Sequence, residues 1–594
     1  MRLVTGAILL GLAALAAGQV NDTGVQAAGA LAGFFFPPGK GSWVSNIPTG
    51  VVAIYQALMK DGNVLVYSGG GAARLAGGAD RREPRCCGAA GSRNRFMGLD
   101  EFGTTIVDPY KKKMRELYIP GKLNGKTVNC GIHACQNAFC SSQVVTADSD
   151  VLIFGGHNEF VKAMRRFSYE KNTITDIDKM PSGRWYPSSV TLPDGTVLTV
   201  GGTKLSGKAG WHCKPNEDNP TYIVYRPSKN NFAPGGDRKD MTRQLNRAFP
   251  AHTYPVVTVT PDGGLIMSAG KTLAKYAYNK DGASVRHLFD FADRPGPSWN
   301  YPQTGVGMPL PMVPPHKQLF LLATGGSVED RAKDETPARD EAHVIEISGG
   351  RAAKWKQVGG MPYRRVMGDA VTLCDGKVIF FGGAEKGIAG WGQGPKNIRF
   401  RDGKGYNCKK KCPRTTGEHY EPIIYDPVTE KWSRRGTLAL AMRPRLYHST
   451  ATLLPNCQVM VAGSDVTYDT TAELYSPPYL SQGKRPVIIG GVPEAVTRGQ
   501  VLAVDYSTKG GVLGKVTRAL LLRTGTCTHS SQFDASSMWL EVTNSFVRFD
   551  PANPGGVLSV KIPASPAVVP PGMYMLVLNT NRGLPTDGKI ISIK

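Results

Sequence analysis

The chain has 594 residues, of which 41% are hydrophobic and 20% charged, so it can build a large core and is not a wholly disordered protein. Its 71 glycines and 42 prolines indicate many turns and short strands, which disfavours a helical bundle or coiled coil. Lys and Arg outnumber Asp and Glu by 71 to 47, giving a formal net charge of +24. Such a chain suits an acidic polysaccharide, but no zinc finger or basic aromatic helix indicates binding to nucleic acid.

The first 18 residues have the pattern of a secretory signal peptide. Arg2 precedes an apolar run at positions 3–17, and small residues surround the predicted cleavage site. The run is too short to span a bilayer comfortably, and no later segment has 18 uninterrupted apolar residues. We therefore expect a secreted protein without a membrane span, in which disulfides can form.

A short apolar run that ends in paired small residues recurs seven times between residues 19 and 484. The pairs stand at 69–70, 155–156, 201–202, 269–270, 325–326, 382–383 and 462–463. Most copies follow a turn sequence such as Pro-Asp-Gly, so each one predicts a tight turn, a buried strand and a close backbone approach. The spacing is near the roughly 50-residue kelch repeat, with insertions. The sequence predicts an all-β protein with a seven-bladed kelch-like β-propeller over residues 19–484.

Three segments depart from this repeat. Residues 485–594 alternate apolar and polar positions without the paired glycines, which predicts a separate C-terminal immunoglobulin-like β-sandwich. Residues 72–96 and 403–418 are predicted to be basic loop insertions in the propeller. Propeller and sandwich together would account for the whole chain after the signal peptide.

Residues suited to redox and metal chemistry stand at unusual points of the repeat. Tyr186 and Tyr447 both precede a turn-and-strand copy, and each follows an arginine by two residues. His448 follows Tyr447, Cys140 precedes the turn of an earlier copy, and His529 stands in "TGTCTHSSQF" of the C-terminal segment. Loops from all blades meet at a propeller axis, so these side chains can converge there. Two imidazoles and two phenol oxygens suit Cu(II), which favours N,O tetragonal sites.

Four segments that contain these residues resemble, in order, the copper radical oxidase family. They are "FCS" at Cys140, "GRWYPSSVTLPDGTVLTVGG" around Tyr186, "RLYHSTATLLP" around Tyr447 and "THS" at His529. "RRVMGDAVTL" with "GIAGW", and "YSPPYL", resemble the glyoxal oxidase type rather than its relative galactose oxidase. The resemblance extends over nearly all of the mature chain.

The resemblance implies one copper ion, with Tyr186, an axial Tyr447, His448 and His529 as its ligands. It also implies a thioether bond between Cys140 and Tyr186, which makes the linked pair a protein-derived radical cofactor. A one-electron metal needs such a second redox centre to carry out a two-electron oxidation. Removing Cys140 would also leave an even number of the 11 cysteines for disulfides.

One position departs from the family pattern. Galactose oxidase has an indole that follows the paired glycines and stacks on the cross-linked tyrosine. This chain has Lys204 there, with Trp211 seven residues later. The change disfavours hexose oxidation, because the platform for the sugar and the shield of the radical would both differ.

Other histidines and cysteines have more than one interpretation. The alternative metal ligands are His133, His157, His212 and His252. Of these, His157 and His212 follow paired glycines in the chain and could instead line the substrate entrance. The cysteines considered for disulfides or packing are the adjacent Cys86 and Cys87, Cys130 with Cys135, and the turn residues Cys374 and Cys457. Cys408 and Cys412 fit a loop disulfide, two longer bridges or a metal clip.

The sequence therefore predicts a monomeric, secreted copper oxidase of small aldehydes. The aldehydes would react as hydrates to give carboxylic acids, with O2 reduced to hydrogen peroxide. One alternative is a galactose or primary alcohol oxidase of the same family. The other is a non-catalytic kelch-type scaffold that binds acidic polysaccharide of the cell wall or matrix, which would have no need of the five site residues together.

Overall fold

A computed structural model describes residues 39–68, 104–123, 126–131, 138–207, 213–281, 283–392, 396–401, 403, 405–408, 412–467 and 469–594. The predicted signal peptide and the insertion at 72–96 lie outside the described residues. The fold is nearly all β, with 46% strand and 4% helix. The described helices are the α-helix Thr242–Ala248 and the 3-10 helices Asn158–Lys162, Pro227–Lys229, Asp465–Thr467 and Pro478–Leu480. None of the helices in these ranges has the length and apolar character needed to cross a membrane.

The turns and paired glycines of the repeat form tight antiparallel hairpins. Ser188–Thr191 pairs with Val197–Val200, and both strands are buried throughout. In the turn between them, the Asp194 carboxylate accepts hydrogen bonds from the backbone N–H and the hydroxyl of Thr196. At the far end of the hairpin, a Cβ on Gly202 would lie 2.8 Å from a backbone carbonyl oxygen, so glycine is required there. The repeat thus has the physical role that the sequence predicted.

Four-stranded antiparallel sheets follow one another along the chain and are numbered here as sheets 1 to 7. Sheet 1 also receives two further strands, described below. The strands are Tyr55–Leu58, Val64–Tyr67, Thr104–Asp108 and Lys113–Glu116 in sheet 1; Ser142–Val145, Val151–Phe154, Ala163–Ser168 and Thr173–Lys179 in sheet 2; Ser188–Thr191, Val197–Val200, Tyr222–Arg226 and Asn231–Phe232 in sheet 3; Val256–Val259, Leu265–Ala269, Thr272–Asn279 and Ser284–Asp290 in sheet 4; Val306–Pro309, Phe320–Thr324, Glu341–Glu346 and Lys356–Gly360 in sheet 5; Asp369–Thr372, Val378–Phe381, Ile423–Asp426 and Lys431–Trp432 in sheet 6; and Ser449–Leu453, Val459–Gly463, Thr471–Ser476 and Ser42–Pro48 in sheet 7.

The first strands of neighbouring sheets pack side by side. Contacts between them join sheets 2 to 5 in order, and also join sheets 6, 7 and 1. Sheet 7 takes its outer strand from near the other end of the chain, because Ser42–Pro48 pairs antiparallel with Thr471–Ser476. Sheets that stack in sequence order and are closed by the first strand are consistent with a β-propeller.

The predicted insertion at 403–418 is largely built of strands. Ala384–Gly392 pairs with Cys412–Glu418, and Lys396–Arg399 pairs with Gly405–Cys408. Cys408 and Cys412 form a disulfide between these two hairpins, which selects the loop disulfide over the metal clip and the two longer bridges. A further hairpin, Tyr118–Leu123 with Lys126–Gly131, extends from the end of sheet 1.

A second disulfide joins the turns of sheets 6 and 7. Cys374 and Cys457 replace turn residues of the repeat and are fully buried and bonded to each other. The Asn579 amide of the C-terminal domain donates a hydrogen bond to the Cys374 carbonyl oxygen. These cysteines therefore have the structural role expected of them, at the contact with the C-terminal domain.

The C-terminal segment forms two sheets with a common hydrophobic core. One contains Val487–Gly490, Val501–Ser507, Gly555–Lys561 and Glu541–Arg548, and the other contains Ala495–Val496, Lys589–Ile593, Gly572–Thr580, Val516–Arg523 and Ser536–Trp539. One hairpin leaves this domain: Thr526–Thr528 and Ser531–Phe533 extend sheet 1, with Cys527 beside Gln56 and Thr526 beside Ala57. The C-terminal domain is thus joined to the propeller-like part through a shared sheet.

Sheet 6 begins with a fully buried carboxyl group, Asp369. Its Oδ2 accepts a hydrogen bond of 2.5 Å from the Ser449 hydroxyl, and its Oδ1 has no partner among the described residues. Burial raises the pKa of Asp369 to about 8, against the opposing effects of Ser449 and the Arg365 guanidinium. Because the usual pKa of an aspartate is about 3.9, the folded protein holds this proton more tightly than the unfolded chain.

Because the pKa of Asp369 is higher in the folded protein than in the unfolded chain, its contribution to the free energy of unfolding is greatest below about pH 4. This contribution is lost as the pH rises through about 8. We expect the always-neutral variant Asp369→Asn to gain free energy of unfolding relative to the wild type as the pH rises over that range. Urea titrations of metal-free protein measure this difference. Asp505→Asn, a half-buried carboxylate of the C-terminal domain, is the control, and a pH-independent difference for Asp369→Asn would contradict the prediction.

Candidate metal centre

Residues with a left-handed backbone recur at one position of the repeat, just before the first strand of a sheet. Non-glycine residues rarely adopt positive φ, and such strain is concentrated at functional sites. The residues and their φ angles are Cys140 at 61°, Tyr186 at 65°, Tyr254 at 47°, Thr304 at 52°, Met367 at 60° and His448 at 64°. Three of the five predicted site residues thus share a single backbone position on different sheets.

The structure corrects the predicted equivalence of Tyr186 and Tyr447. By strand register and by φ, the counterpart of Tyr186 is His448, and Tyr447 stands one residue earlier. The repeated arginines are equivalent, since Arg184 donates to the Gly201 carbonyl oxygen and Arg445 to that of Gly463. Sheet 7 therefore has one extra residue after its arginine, and this lets two adjacent side chains reach the centre.

His529 reaches the same centre from the C-terminal domain. It stands at the tip of the hairpin that extends sheet 1, where His529 and Ser530 have φ angles of 51° and 63°. Two positive φ angles are the geometry of a tight two-residue hairpin turn, which usually contains Asn and Gly. The Thr528 hydroxyl lies 2.6 Å from Nδ1 of His529, and this contact orients the ring so that Nε2 faces inward.

A buried ion pair anchors this hairpin to sheet 3. The Asp534 carboxylate accepts hydrogen bonds from the backbone N–H of Thr191 at 2.9 Å and from its hydroxyl at 2.7 Å. The Arg523 guanidinium donates to the same carboxylate and to the Val145 carbonyl oxygen. All of these groups are buried, so the hairpin is fixed at both its ends.

The five predicted site residues meet in one buried cluster. Nε2 of His448 and Nε2 of His529 are 2.5 Å apart, and Sγ of Cys140 lies 3.7 Å from Nε2 of His529. The hydroxyl oxygens of Tyr186 and Tyr447 are 3.2 Å apart. Cys140, His448 and His529 alone place ligand atoms within 4.8 Å of one another. Two facing imidazole nitrogens beside two phenol oxygens form a donor set that fits Cu(II).

The electrostatics of the cluster also suit a cation. Burial lowers the pKa of His448 and of His529 well below the usual value, so both imidazoles are neutral, which is the form that binds metals. Burial, with the neighbouring Cys140, raises the pKa of Tyr186 well above 10, and burial with Tyr301 does the same for Tyr447. A bound divalent cation opposes this effect, because it stabilises a phenolate ligand directly.

Two further tyrosines of the cluster are missing from the sequence prediction. The Tyr301 ring stacks on the Tyr186 ring with centroids 4.6 Å apart, and its hydroxyl lies 3.1 Å from that of Tyr447. Tyr254 packs edge-on against Tyr186 and donates a hydrogen bond to the Ser141 carbonyl oxygen. Tyr254 could have been found in the sequence, because it precedes a proline just as Tyr186 does. Tyr301 also precedes a proline, Pro302, but it stands three residues before the left-handed position of its repeat, Thr304, so its place in the repeat gives no signal.

The residue that departs from the family pattern does not lie at the cluster. Lys204 is exposed, and its Nζ donates to the Asn216 carbonyl oxygen 3.4 Å away. An indole does lie beside Tyr186, but it belongs to the preceding residue: the centroids of Trp185 and Tyr186 are 4.4 Å apart, with planes tilted by 47°. On the other side, Trp391 packs against both Tyr447 and His448 with centroids 5.7 Å away.

The alternative histidine ligands do not join the cluster in the described part of the chain. His252 is buried with its Nε2 2.6 Å from the Asp218 carboxylate. His157 lies near the cluster and contacts the rings of Phe139 and Trp185. His133 and His212, as well as Trp211, Cys86, Cys87 and Cys135, lie outside the described residues. The side chain of Cys130 also lies outside the description.

The cysteine count did not identify the special cysteine. Cys527 is a second buried thiol, and it donates to the Ala451 carbonyl oxygen instead of forming a disulfide. The even number left after removing Cys140 therefore has no meaning for disulfide pairing. Cys140 is distinguished from Cys527 by its position beside His529 and Tyr186.

The fold and this cluster define a class of protein: an all-β protein in which two imidazoles, two phenols and a thiol, brought together from four sheets, form one buried centre suited to a redox metal. Residues 126–479 match the glyoxal oxidase N-terminus family, and residues 485–593 match the galactose oxidase-like early set domain family. The chain belongs to the glyoxal oxidase family within the copper radical oxidases, and it is an oxidase.

Individual relatives are distant but cover most of the chain. Aldehyde oxidase GLOX of Vitis pseudoreticulata is 25% identical over 77% of this chain and 82% of its own length. Aldehyde oxidase GLOX1 of Arabidopsis thaliana is 26% identical over 77% and 71%, and galactose oxidase of Gibberella zeae is 24% identical over 84% and 66%. A fungal alcohol oxidase solved in complex with copper covers 93% of this chain and 100% of its own, with a TM-score of 0.66 and 18% identity, so it shares the fold.

We expect His529→Ala to lower the affinity for Cu(II) by more than about 100-fold, since even groups behind the ligands typically contribute 10- to 100-fold. Competition with a chelator of known copper affinity measures this loss. His287→Ala, which removes an imidazole paired with Asp290 in sheet 4, is the matched control. Wild-type affinity in a folded His529→Ala protein would show that the ligand lies elsewhere.

Proposed function

We propose that the protein is a secreted copper radical oxidase that oxidises small aldehydes, as their hydrates, to carboxylic acids. O2 would accept the two electrons and two protons and become hydrogen peroxide. The observation that carries the proposal is the convergence of Tyr186, Tyr447, His448 and His529 with Cys140 in one buried cluster. A non-catalytic polysaccharide-binding scaffold has no use for this cluster, and the family assignment also disfavours it.

The proposed framework is a seven-bladed kelch-like propeller over residues 19–484 and an immunoglobulin-like sandwich over 485–594. Sheets 1 to 7 support seven blades, and pairing of Ser42–Pro48 with Thr471–Ser476 would close the ring. The N-terminal signal pattern and the disulfides Cys374–Cys457 and Cys408–Cys412 support secretion into an oxidising compartment. In this framework the proposed ligands come from two blades and the sandwich, and Cys140 comes from a third blade.

The proposed copper ligands are Tyr186, Tyr447, His448 and His529. Copper bound there would acidify a substrate hydroxyl and accept one electron. Tyr447 would take the hydroxyl proton, and its contacts with the hydroxyls of Tyr186 and Tyr301 hold its oxygen in place to do so. Tyr186, linked to Cys140 and oxidised by one electron, would take the hydrogen atom from carbon and thereby accept the second electron.

The substrate assignment depends on the glyoxal oxidase match and not on a missing indole. Trp185 places an indole beside Tyr186, so the presence of Lys204 in the sequence gives little reason to exclude hexoses as substrates. Galactose or a primary alcohol therefore stays the alternative substrate. Small aldehyde hydrates need only a hydroxyl for the metal and a few polar contacts, so modest affinity and wide tolerance are expected.

The deciding experiment compares substrates on one copper-loaded preparation. In an O2-dependent peroxide assay, we expect kcat/KM for methylglyoxal to be at least about tenfold higher than for galactose. A tenfold difference is about the cost of leaving one hydroxyl group of the bound sugar without a hydrogen bond. Tyr186→Phe is the control, since it removes the radical while three proposed ligands remain. A higher kcat/KM for galactose would refute the aldehyde assignment, and peroxide formation with neither substrate would refute the oxidase proposal for this site.

A thioether between Cys140 and Tyr186 is the second expected result. The backbone N–H of Tyr186 donates to the Cys140 carbonyl oxygen at 2.8 Å, so the two residues are already adjacent. Forming the S–C bond removes one hydrogen from the thiol and one from the ring, with O2 as the oxidant. Peptide mapping of copper-matured protein should show the two peptides joined and two hydrogens lighter than their sum. Cys527, equally buried, is the internal control and should keep its thiol; an unmodified Cys140 throughout would contradict the proposal.

A further inference from the structure

Two buried nitrogen atoms at the edge of the cluster lack hydrogen-bond partners in the part of the chain that the structure describes. They are Nε1 of Trp185 and Nδ1 of His157. The two rings are neighbours, with centroids 5.6 Å apart, and the Trp185 ring lies against that of Tyr186. Trp185 is only 6% exposed, so its N–H has little access to water. Both groups belong to the wall of the cluster and not to its proposed ligands.

Orphaned buried donors are rare in folded proteins, because their desolvation is not compensated. Here the backbone does not supply a partner: Trp185 pairs with Thr203 only through main-chain groups, and His157 directly follows the paired glycines of sheet 2. Phe139 covers the other edge of the imidazole, with centroids 5.5 Å apart. Two neighbouring polar atoms held within an aromatic wall are typical of a ligand subsite, where a few polar groups fix the orientation of a small molecule.

The chemistry of the pair defines what it can bind. An indole N–H only donates, whereas a neutral imidazole can donate or accept at Nδ1 according to its tautomer. Burial lowers the pKa of His157 to about 4, so the ring is neutral at ordinary pH. A carbonyl oxygen could accept from both nitrogens, and a hydroxyl could accept from Trp185 while donating to His157. A methyl group could do neither.

We infer that Trp185 and His157 form a subsite for an oxygen atom on the carbon next to the reacting aldehyde. The inference rests on the proposed function, because the reacting C–H must lie against Tyr186. Besides the proposed ligands, three rings pack on Tyr186. The hydroxyl of Tyr301 contacts that of Tyr447, and the hydroxyl of Tyr254 is bonded to the Ser141 carbonyl oxygen. Of the three, only Trp185 has an unpartnered polar atom in the described part of the chain. In the inferred binding mode, the next carbon of the substrate extends towards Trp185. The subsite selects 2-oxo and 2-hydroxy aldehydes over simple aldehydes of the same size.

The test uses glycolaldehyde and propanal, which differ by a hydroxyl in place of a methyl group. The quantity measured is the ratio of their kcat/KM values, compared between variants so that differences in hydration cancel. Trp185→Phe and His157→Phe keep an aromatic ring and remove the polar atom. Each should lower the ratio by about five- to tenfold, the usual effect of losing one hydrogen bond. Trp355→Phe removes an indole N–H that binds the Ala292 carbonyl oxygen elsewhere and should leave the ratio unchanged.

A second readout does not need turnover. Pyruvate and propionate are a matched pair of carboxylates, and their binding to copper-loaded protein is followed by the visible absorption of Cu(II). Pyruvate should bind more tightly to the wild type, and this preference should disappear in both variants. The subsite would be overturned if both variants lost kcat/KM equally for glycolaldehyde and propanal and still bound pyruvate more tightly than propionate. Trp185 and His157 would then only position Tyr186. If the wild type oxidises neither aldehyde, the proposed function fails, and the carboxylate comparison still decides whether the subsite exists.

Discussion

The candidate metal centre depends on the docking of one hairpin of the C-terminal domain against sheet 1. Thr526 and Cys527 continue the sheet beside Ala57 and Gln56, and the turn of this hairpin presents His529. The hairpin is therefore a strand of the same sheet as residues more than 400 positions earlier. Without this pairing the cluster would have one imidazole, and the two phenols would face no second nitrogen.

The hairpin is anchored by a buried charge pair of the C-terminal domain, Asp534 with Arg523, that also contacts sheets 2 and 3. Asp534 and Arg523 are both buried, and each also bonds to main-chain groups of sheets 2 and 3. Removing one partner of such a pair leaves an unmatched buried charge, which is strongly destabilising. The pair therefore fixes one orientation of the hairpin, and ligand geometry depends on that orientation.

Backbone strain and aromatic packing work together around the centre. Left-handed residues at Cys140, Tyr186 and His448 would be unfavourable in isolation, and the packed sheets hold them. Around them, the rings of Trp185, Tyr301 and Trp391 exclude water from the cluster. Burial makes the phenols of Tyr186 and Tyr447 difficult to ionise unless a cation is bound beside them. The subsite inferred at Trp185 and His157 depends on the few polar atoms among these rings.

The sequence by itself determined the all-β character, the repeat and the five residues of the cluster. These features are local, because turn residues, paired glycines and short motifs can be recognised in segments of ten or twenty residues. Tyr254 was equally accessible, because its Tyr-Pro motif stands at the same point of the repeat as that of Tyr186. The tertiary structure alone decided that His448 and not Tyr447 is the counterpart of Tyr186, that Tyr301 stacks on Tyr186, and that Trp185 supplies the indole which Lys204 does not. Each of these depends on strand register or on contacts between separate sheets, where a shift of one residue changes which side chain faces the centre.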